Sequence, residues 1–135
     1  MISTKLKTIF ALSIPLFIAH GIEEFLTGFY NLDAWDQAIF APLASLSVHG
    51  AMFLTFQIMF WLLLIVSFLL LCGERVRFYV LALVGVIYVF ELHHIVKAIL
   101  VNGYYPGLIT SLVFPIVAVF FWKEWLRAWK TDFSR

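Results

Sequence analysis

The chain has 135 residues, of which 64% are hydrophobic and only 13% are charged, and its mean hydropathy is +1.01. A soluble domain of this size could not cover so much apolar surface, so the composition predicts a multi-pass membrane protein. The net charge of +1 gives no support for nucleic-acid binding. A lone cysteine, Cys72, excludes an intramolecular disulfide and a CxxC metal site.

Four apolar segments alternate with short polar ones along the chain, and they predict spans at about residues 8–25, 48–71, 78–101 and 107–122. Each is about as long as the roughly 20 residues that cross about 30 Å of hydrocarbon. The segment Leu32–Ser47, between the first two spans, predicts a short helix on the outer surface. We therefore expect one all-α domain over residues 1–135, an integral membrane four-helix bundle.

The basic residues predict the orientation of this bundle. All but Lys97 fall on one side of the four-span drawing, whereas residues 31–47 and 102–105 contain no lysine or arginine. Because basic residues concentrate in cytoplasmic segments, both termini are predicted to be cytoplasmic. This fits a bacterial inner membrane or an equivalent one. The residues on the basic side are Lys5, Lys7, Arg75, Arg77, Lys123, Arg127, Lys130 and Arg135.

Ionisable side chains interrupt the first span near its outer end. His20 lies three residues before Glu23 and four before Glu24, so on a helix the three side chains share one face. Ionisable groups inside a span cost a few kcal/mol each on insertion scales. We therefore expect them to face the protein interior and to have a function there.

A second polar cluster interrupts the third span, and it contains Glu91, His93, His94 and Lys97. Counted from the cytoplasmic basic residues at about 1.5 Å per residue, both clusters lie roughly 20–25 Å into the membrane. We therefore expect them to meet in the outer half of the bundle. His49, at the start of the second span, is placed to cap the same site.

The motif His20-x-x-Glu23-Glu24, a further histidine and the segment Tyr104-Tyr105-Pro106-Gly107 together resemble the HXXEE-domain family of small integral membrane proteins. That family is marked by HxxEE, another histidine and YxPG. The resemblance extends from His20 to Gly107, and either His49, His93 or His94 corresponds to the separate histidine. The family has no assigned function, so the resemblance implies that these residues belong together and does not imply a reaction.

Imidazoles and carboxylates at one level of a helical bundle are typical of a metal site. Glu91-x-x-His94 has the spacing that di-iron carboxylate bundles use, and a divalent cation would offset the buried negative charge. We predict zinc or iron as the cofactor. The candidate metal ligands are His20, Glu23, Glu24, His49, Glu91 and His94; the candidate catalytic residues are Glu23, Glu24 and Glu91; possible supporting residues are His93, Lys97 and Tyr104.

The function predicted from these features is a membrane-embedded, metal-dependent enzyme, a hydrolase or an oxidoreductase, acting on a lipid-like or isoprenoid substrate. Three alternatives stay open at this point. The cluster could serve a metal-free acid/base isomerase or cyclase. It could be a proton or ion relay in a transporter or an accessory subunit, which would favour a homo-oligomer. It could also be a structural network in which His20 bonds Glu91 or Glu24 pairs with Lys97.

Overall fold

The structure, a computed structural model, describes residues 2–29 and 32–132, all helices and connecting turns with no strand among them. Arg135, counted above for the orientation, lies outside these residues. Side chains are not described at six further positions: Asp36, Leu64, Ser67, Phe68, Leu71 and Asp132. The helices are α1 (Thr4–Thr27), α2 (Ala34–Ala44), α3 (Val48–Leu71), α4 (Glu74–Phe90), α5 (His93–Leu100), α6 (Leu108–Ser111) and α7 (Phe114–Asp132).

Local sequence signals set several helix ends. The Ser3 side chain accepts a hydrogen bond from the Leu6 N–H and caps α1, and Ser47 caps α3 in the same way through Gly50. Gly28 ends α1 in the left-handed conformation with φ at +72°, where a side chain would be strained. These caps explain why α1 is longer at both ends than the predicted span.

Two of the predicted spans are interrupted helices. The third turns at Glu91 and Leu92, between α4 and α5, and the fourth consists of the short α6 and the longer α7. These two interruptions were not predicted from the sequence. The helix α7 extends past residue 122, the predicted end of the last span, to Asp132, because Lys123, Glu124 and Arg127 are good helix formers.

The core lies where α1, α4 and α7 pack together. Its fully buried side chains include Leu6, Tyr88, Phe114 and Phe121. A Cβ added at Gly85 would lie 2.7 Å from Phe121 and 2.8 Å from Trp122, so glycine is what lets α7 approach α4 closely. This packing fixes α1 and α4, which lead into the two polar clusters, relative to each other through α7.

Three helical segments of the described chain are long and apolar enough to cross a membrane, namely Thr4–Thr27, Glu74–Leu100 and Leu108–Thr131. A shorter apolar helix covers Val48–Leu63, within α3, which packs against α4. The four-span bundle, its orientation and the outer-surface position of α2 therefore stay predictions. Lys5 lies 2.8 Å from Glu124, so the start of α1 and the end of α7 lie at the same end of the molecule.

Candidate metal site

The two polar clusters meet at the other end of the molecule, as predicted. His20 and Glu24 lie near the end of α1, Glu91 occupies the turn after α4, and His94 lies in the first turn of α5. The side chains of His20 and His94 are 4% and 0% exposed, whereas Glu91 and Glu24 retain 13% and 25% exposure. The imidazoles are therefore enclosed, and the carboxylates border an accessible space.

Each imidazole presents Nε2 to both carboxylates. His20 Nε2 lies 2.9 Å from Glu91 Oε2 and 3.5 Å from Glu24 Oε1. His94 Nε2 lies 3.1 Å from Glu24 Oε1 and 3.5 Å from Glu91 Oε2. The two rings approach edge to face with centroids 4.7 Å apart. Four polar side chains from three helical segments thus converge on one point.

The hydrogen bond of His94 Nδ1 defines the tautomer of that ring. Nδ1 lies 2.6 Å from the carbonyl oxygen of Pro106, which can only accept a hydrogen bond. The proton must therefore be on Nδ1. In the neutral ring, Nε2 then carries a lone pair directed towards the carboxylates.

His20 has the same tautomer for a different reason. Its Nδ1 lies 2.7 Å from the Thr110 hydroxyl, and that hydroxyl makes a short hydrogen bond to Glu23 Oε2. The hydroxyl has one proton and donates it to the carboxylate, so it must accept from His20 Nδ1–H. The neutral ring of His20 therefore also presents an Nε2 lone pair.

Neither Nε2 atom makes a hydrogen bond of acceptable angle, although carboxylate oxygens are within reach of both. Neutral imidazole nitrogens and carboxylate oxygens facing one another would repel unless a metal cation or a proton lies between them. Ligands bound at about 2.0–2.2 Å to one ion lie roughly 2.9–3.5 Å from their neighbours, the range of the four nitrogen–oxygen distances. His20, Glu91 and His94 could hold a metal ion, since their ligand atoms lie within 4.8 Å of one another.

Glu23 lies beside this group and has different partners. Its two oxygens accept from the Tyr104 hydroxyl at 2.8 Å, from the backbone N–H groups of Ile109 and Thr110 at 2.9 and 2.8 Å, and from the Thr110 hydroxyl. Glu23 therefore anchors α6 and orients Thr110. Partial burial and the hydrogen bond to Glu23 raise the pKa of Tyr104 above its ordinary value. A catalytic or metal-binding role for Glu23 stays a prediction.

The remaining sequence candidates lie at different distances from the group. His93 donates from Nδ1 to the Phe90 carbonyl oxygen at 3.0 Å and lines the adjoining cavity. His49 is exposed at the start of α3, and it does not belong to the group formed by the described residues. Lys97 forms an ion pair with Asp33 at 3.4 Å, and not with Glu24 as the structural alternative supposed.

Asp33 is one of the residues that sequence reasoning missed. It caps α2 by accepting from the Trp35 N–H at 2.9 Å, and it accepts from the Tyr105 hydroxyl at 3.0 Å. Burial alone would raise its pKa, but these hydrogen bonds and the neighbouring Lys97 outweigh it and lower the pKa of Asp33 below its ordinary value. An aspartate directly before Ala34 and Trp35 is a helix-capping signal that could have indicated this role.

Thr110, Pro106 and Gly107 were also missed as supports of the histidines. A Cβ at Gly107 would lie 2.7 Å from His94 Nδ1 and 2.8 Å from His20 Cε1, and its φ of +83° favours glycine independently. The segment Tyr104–Gly107 forms the turn between α5 and α6, and it packs against both imidazole rings. Pro106 and Gly107 were visible in the motif, but no sequence signal singles out Thr110.

A cavity of about 540 Å³ adjoins the group, within the usual size range of small-molecule sites. Glu24 and Glu91 form part of its wall, next to Gly21 on α1. The rest of the wall includes aromatic and aliphatic side chains from α1, the segment after it, α2 and α4: Phe25, Phe29, Trp35, Ile39, Phe40 and Phe90. The carboxylates are thus accessible to a molecule that occupies this apolar space.

A family model described as a protein of unknown function with an HXXEE motif matches residues 11–121 of the chain. The matched region includes His20, Glu91, His94 and the Tyr104–Gly107 turn. No curated protein and no solved structure matches the chain. With the family model covering most of its length, the chain belongs to the HXXEE family.

Proposed function

We propose that the protein is a membrane-embedded metalloenzyme in which His20, Glu91 and His94 hold one divalent cation. The observation that carries the proposal is that each imidazole has its Nδ1 proton committed to a neighbour. Its Nε2 is therefore left facing carboxylate oxygens without an aligned hydrogen bond. Such outer partners, which fix ring orientation and tautomer, are typical of metal-binding histidines.

Two histidines and one carboxylate form a ligand set that suits zinc hydrolases and non-haem iron oxygenases alike. In both classes the metal keeps a position open for water or substrate. Glu24 favours the hydrolase, because its Oε1 lies 3.1 Å from His94 Nε2 and the side chain borders the cavity. In that role Glu24 would accept the proton of the attacking water, and a cation held by His20, Glu91 and His94 would supply Lewis-acid chemistry that lowers the pKa of that water.

The surroundings of the site support a lipid-like substrate. The cavity wall is dominated by aromatic and aliphatic side chains, and the helices that carry the site include three segments able to span a membrane. An apolar molecule with one polar bond could reach Glu24 and Glu91 from the bilayer. We therefore infer a membrane lipid or an isoprenoid as the substrate class.

Metal analysis of the purified protein tests the ligand set, and adjacent histidines provide a matched pair of variants. We expect about one zinc or iron ion per chain in the wild-type protein and a loss of at least tenfold in metal content in His94→Ala. His93→Ala should retain the metal, because His93 bonds the Phe90 carbonyl and lies outside the group. Equal metal content in both variants would contradict the proposal.

A metal-free acid/base enzyme is the second candidate, because protons on both Nε2 atoms would also balance the charges of Glu24 and Glu91. Hydrolysis of a long-chain nitrophenyl ester distinguishes the two. The hydrolase predicts activity that a chelator removes and zinc restores. Glu24→Gln should lower kcat at least a hundredfold while retaining the metal. Activity that survives chelation in a metal-free sample would favour the second candidate.

A further inference from the structure

Neither the packing nor the backbone conformation of the fold requires glycine at position 21. Gly21 lies inside α1, where glycine is the least favourable helix former after proline. A Cβ added at Gly21 would meet no atom within 4 Å, in contrast to Gly85 and Gly107, where it would clash with neighbouring side chains. The left-handed conformation that explains Gly28 does not apply either, because Gly21 is helical.

The position of Gly21 offers a reason for the missing side chain. Gly21 lines the cavity that Glu24 and Glu91 border, so any larger residue there would project into that space. Glycine inside a regular element often marks the close approach of a ligand. The missing side chain at Gly21 therefore leaves space for the molecule that the cavity binds.

The charges around the cavity indicate the kind of head group that fits. Among the described residues that line it, Asp33, Glu24 and Glu91 are acidic and Lys97 is basic, and His93 is held by a hydrogen bond from Nδ1 to the Phe90 carbonyl oxygen. Lys97 is paired with Asp33 at 3.4 Å. A divalent cation held beside Glu24 and Glu91 would cancel the remaining two negative charges. With the cation bound, the cavity then presents no uncompensated positive charge to an anionic head group and no uncompensated negative charge to a cationic one.

We propose that the cavity binds an uncharged amphiphile, an apolar chain that ends in a hydroxyl, carbonyl or ester group. The polar end meets Glu24 and Glu91, and the chain lies against Gly21 and the surrounding Phe25, Phe40 and Ile39. This inference rests on the proposed function, because the bound cation supplies the charge balance.

Binding of three brominated probes with the same long chain tests the proposal: the alcohol, its phosphate monoester and the corresponding quaternary ammonium. Trp35 lines the cavity, so bound bromine quenches its fluorescence, and a Trp35→Phe protein supplies the background from the other tryptophans. With protein in lipid nanodiscs and loaded with zinc, we expect the alcohol to bind at least about tenfold more tightly than either charged probe.

A matched pair of glycine variants locates the binding. Gly21→Leu should weaken binding of the alcohol about tenfold, because the side chain occupies that space, and should leave metal content unchanged. Gly103→Leu is the control: its added Cβ also has room, with the nearest atom at 3.8 Å, and Gly103 does not line the cavity. Equal effects of the two variants, or no effect of either, would contradict the role of Gly21.

Metal content measured on the same samples separates this inference from the proposed function. Tighter binding of the phosphate probe to metal-loaded protein would overturn the inference and leave the metal site standing. A protein that binds no metal yet prefers the alcohol, and loses that preference in Gly21→Leu, would overturn the proposed function and support the uncharged amphiphile.

Discussion

The two ends of the helical core each bury a carboxylate, and they balance its charge differently. At one end Glu124, only 4% exposed, lies 2.8 Å from the Lys5 ammonium and 3.6 Å from the Arg127 guanidinium. At the other end Glu91 faces His20 and His94, whose Nδ1 protons are committed elsewhere. The first carboxylate has permanent cations from the chain itself, and the second has only groups that ligate or take up a proton.

This difference distinguishes a structural ion pair from a candidate site. The Lys5–Glu124 pair joins the start of α1 to α7, and neither residue lines the cavity described above. The histidine–glutamate group borders a cavity of about 540 Å³, and within the described part of the chain no lysine or arginine forms an ion pair with Glu24 or Glu91. Burial of ionisable groups is common to both ends, so burial alone does not indicate function. What separates the two ends is that Glu124 lies beside the permanent cations of Lys5 and Arg127, whereas Glu91 lies beside imidazoles.

The largest expected effect is stabilisation by metal, which should act through the histidine end alone. An ion that binds the folded state at about a thousand times its Kd stabilises it by roughly 4 kcal/mol. Zinc should therefore raise the melting temperature of the wild-type protein in detergent, and a chelator should reverse the shift. Lys5→Met should show the same zinc shift, whereas His94→Ala should show none. A full shift in His94→Ala would remove the distinction between the two ends.

Glycine variants extend the comparison to packing. Gly107→Ala and Gly85→Ala each place a Cβ 2.7 Å from a side-chain atom, of His94 and Phe121 respectively. Overpacking of this kind costs about 1–3 kcal/mol, and the positive φ of Gly107 adds about 1–2 kcal/mol. We expect both variants to melt lower and only Gly107→Ala to lose metal as well. Chemical denaturation and metal analysis check the two effects, and metal loss in both would indicate general unfolding.

The helical architecture was predictable from the sequence because apolar runs and capping residues are local signals. The convergence of the two clusters was also predictable, since residue counting along helices gives a depth for each group. The interruptions after Phe90 and Ser111 were not, because tertiary packing and the Tyr104–Gly107 turn determine where those helices break. The charged residues after Trp122 predicted the end of the last span, and they gave no signal that the helix α7 itself continues to Asp132.

The different contacts of Glu23 and Glu24 could not be predicted from the sequence. Adjacent helical residues point about 100° apart, so one faces α6 and the other faces the cavity. Which neighbour each would meet depends on packing between helices far apart in sequence, such as the contact of Glu23 with Thr110. Asp33 shows the same limit: its cap on α2 is local, but its contacts with Tyr105 and Lys97 are not.

A smaller effect is expected from the ion pair at the opposite end. Lys5→Met removes one of two cations from Glu124, so the melting temperature should fall by roughly a few degrees while metal content stays constant. The double variant Lys5→Met with Glu124→Leu should recover part of this loss, because it also removes the enclosed carboxylate that had lost a cation. Metal loss in either variant would show that the ion pair and the histidine–glutamate group depend on each other, and it would contradict their independence.

The smallest expected effect is a loss of α2 stability at low pH. It tests whether the charge of Asp33 holds α2 in place beside the cavity. The pKa of Asp33 is below its ordinary value of 3.8, so ionised Asp33 contributes stability that is present above about pH 4 and is lost as the pH falls through the lowered pKa. Because Lys97 is 42% exposed, we expect less than about 1 kcal/mol, confined to α2. Hydrogen exchange of α2 amides, compared at each pH between wild-type protein and Asp33→Asn, measures it. Asparagine keeps the helix cap and removes the charge, so the wild-type protein should be better protected near neutral pH and the difference should vanish in acid. A difference of constant size across this range would show that the charge of Asp33 does not hold α2.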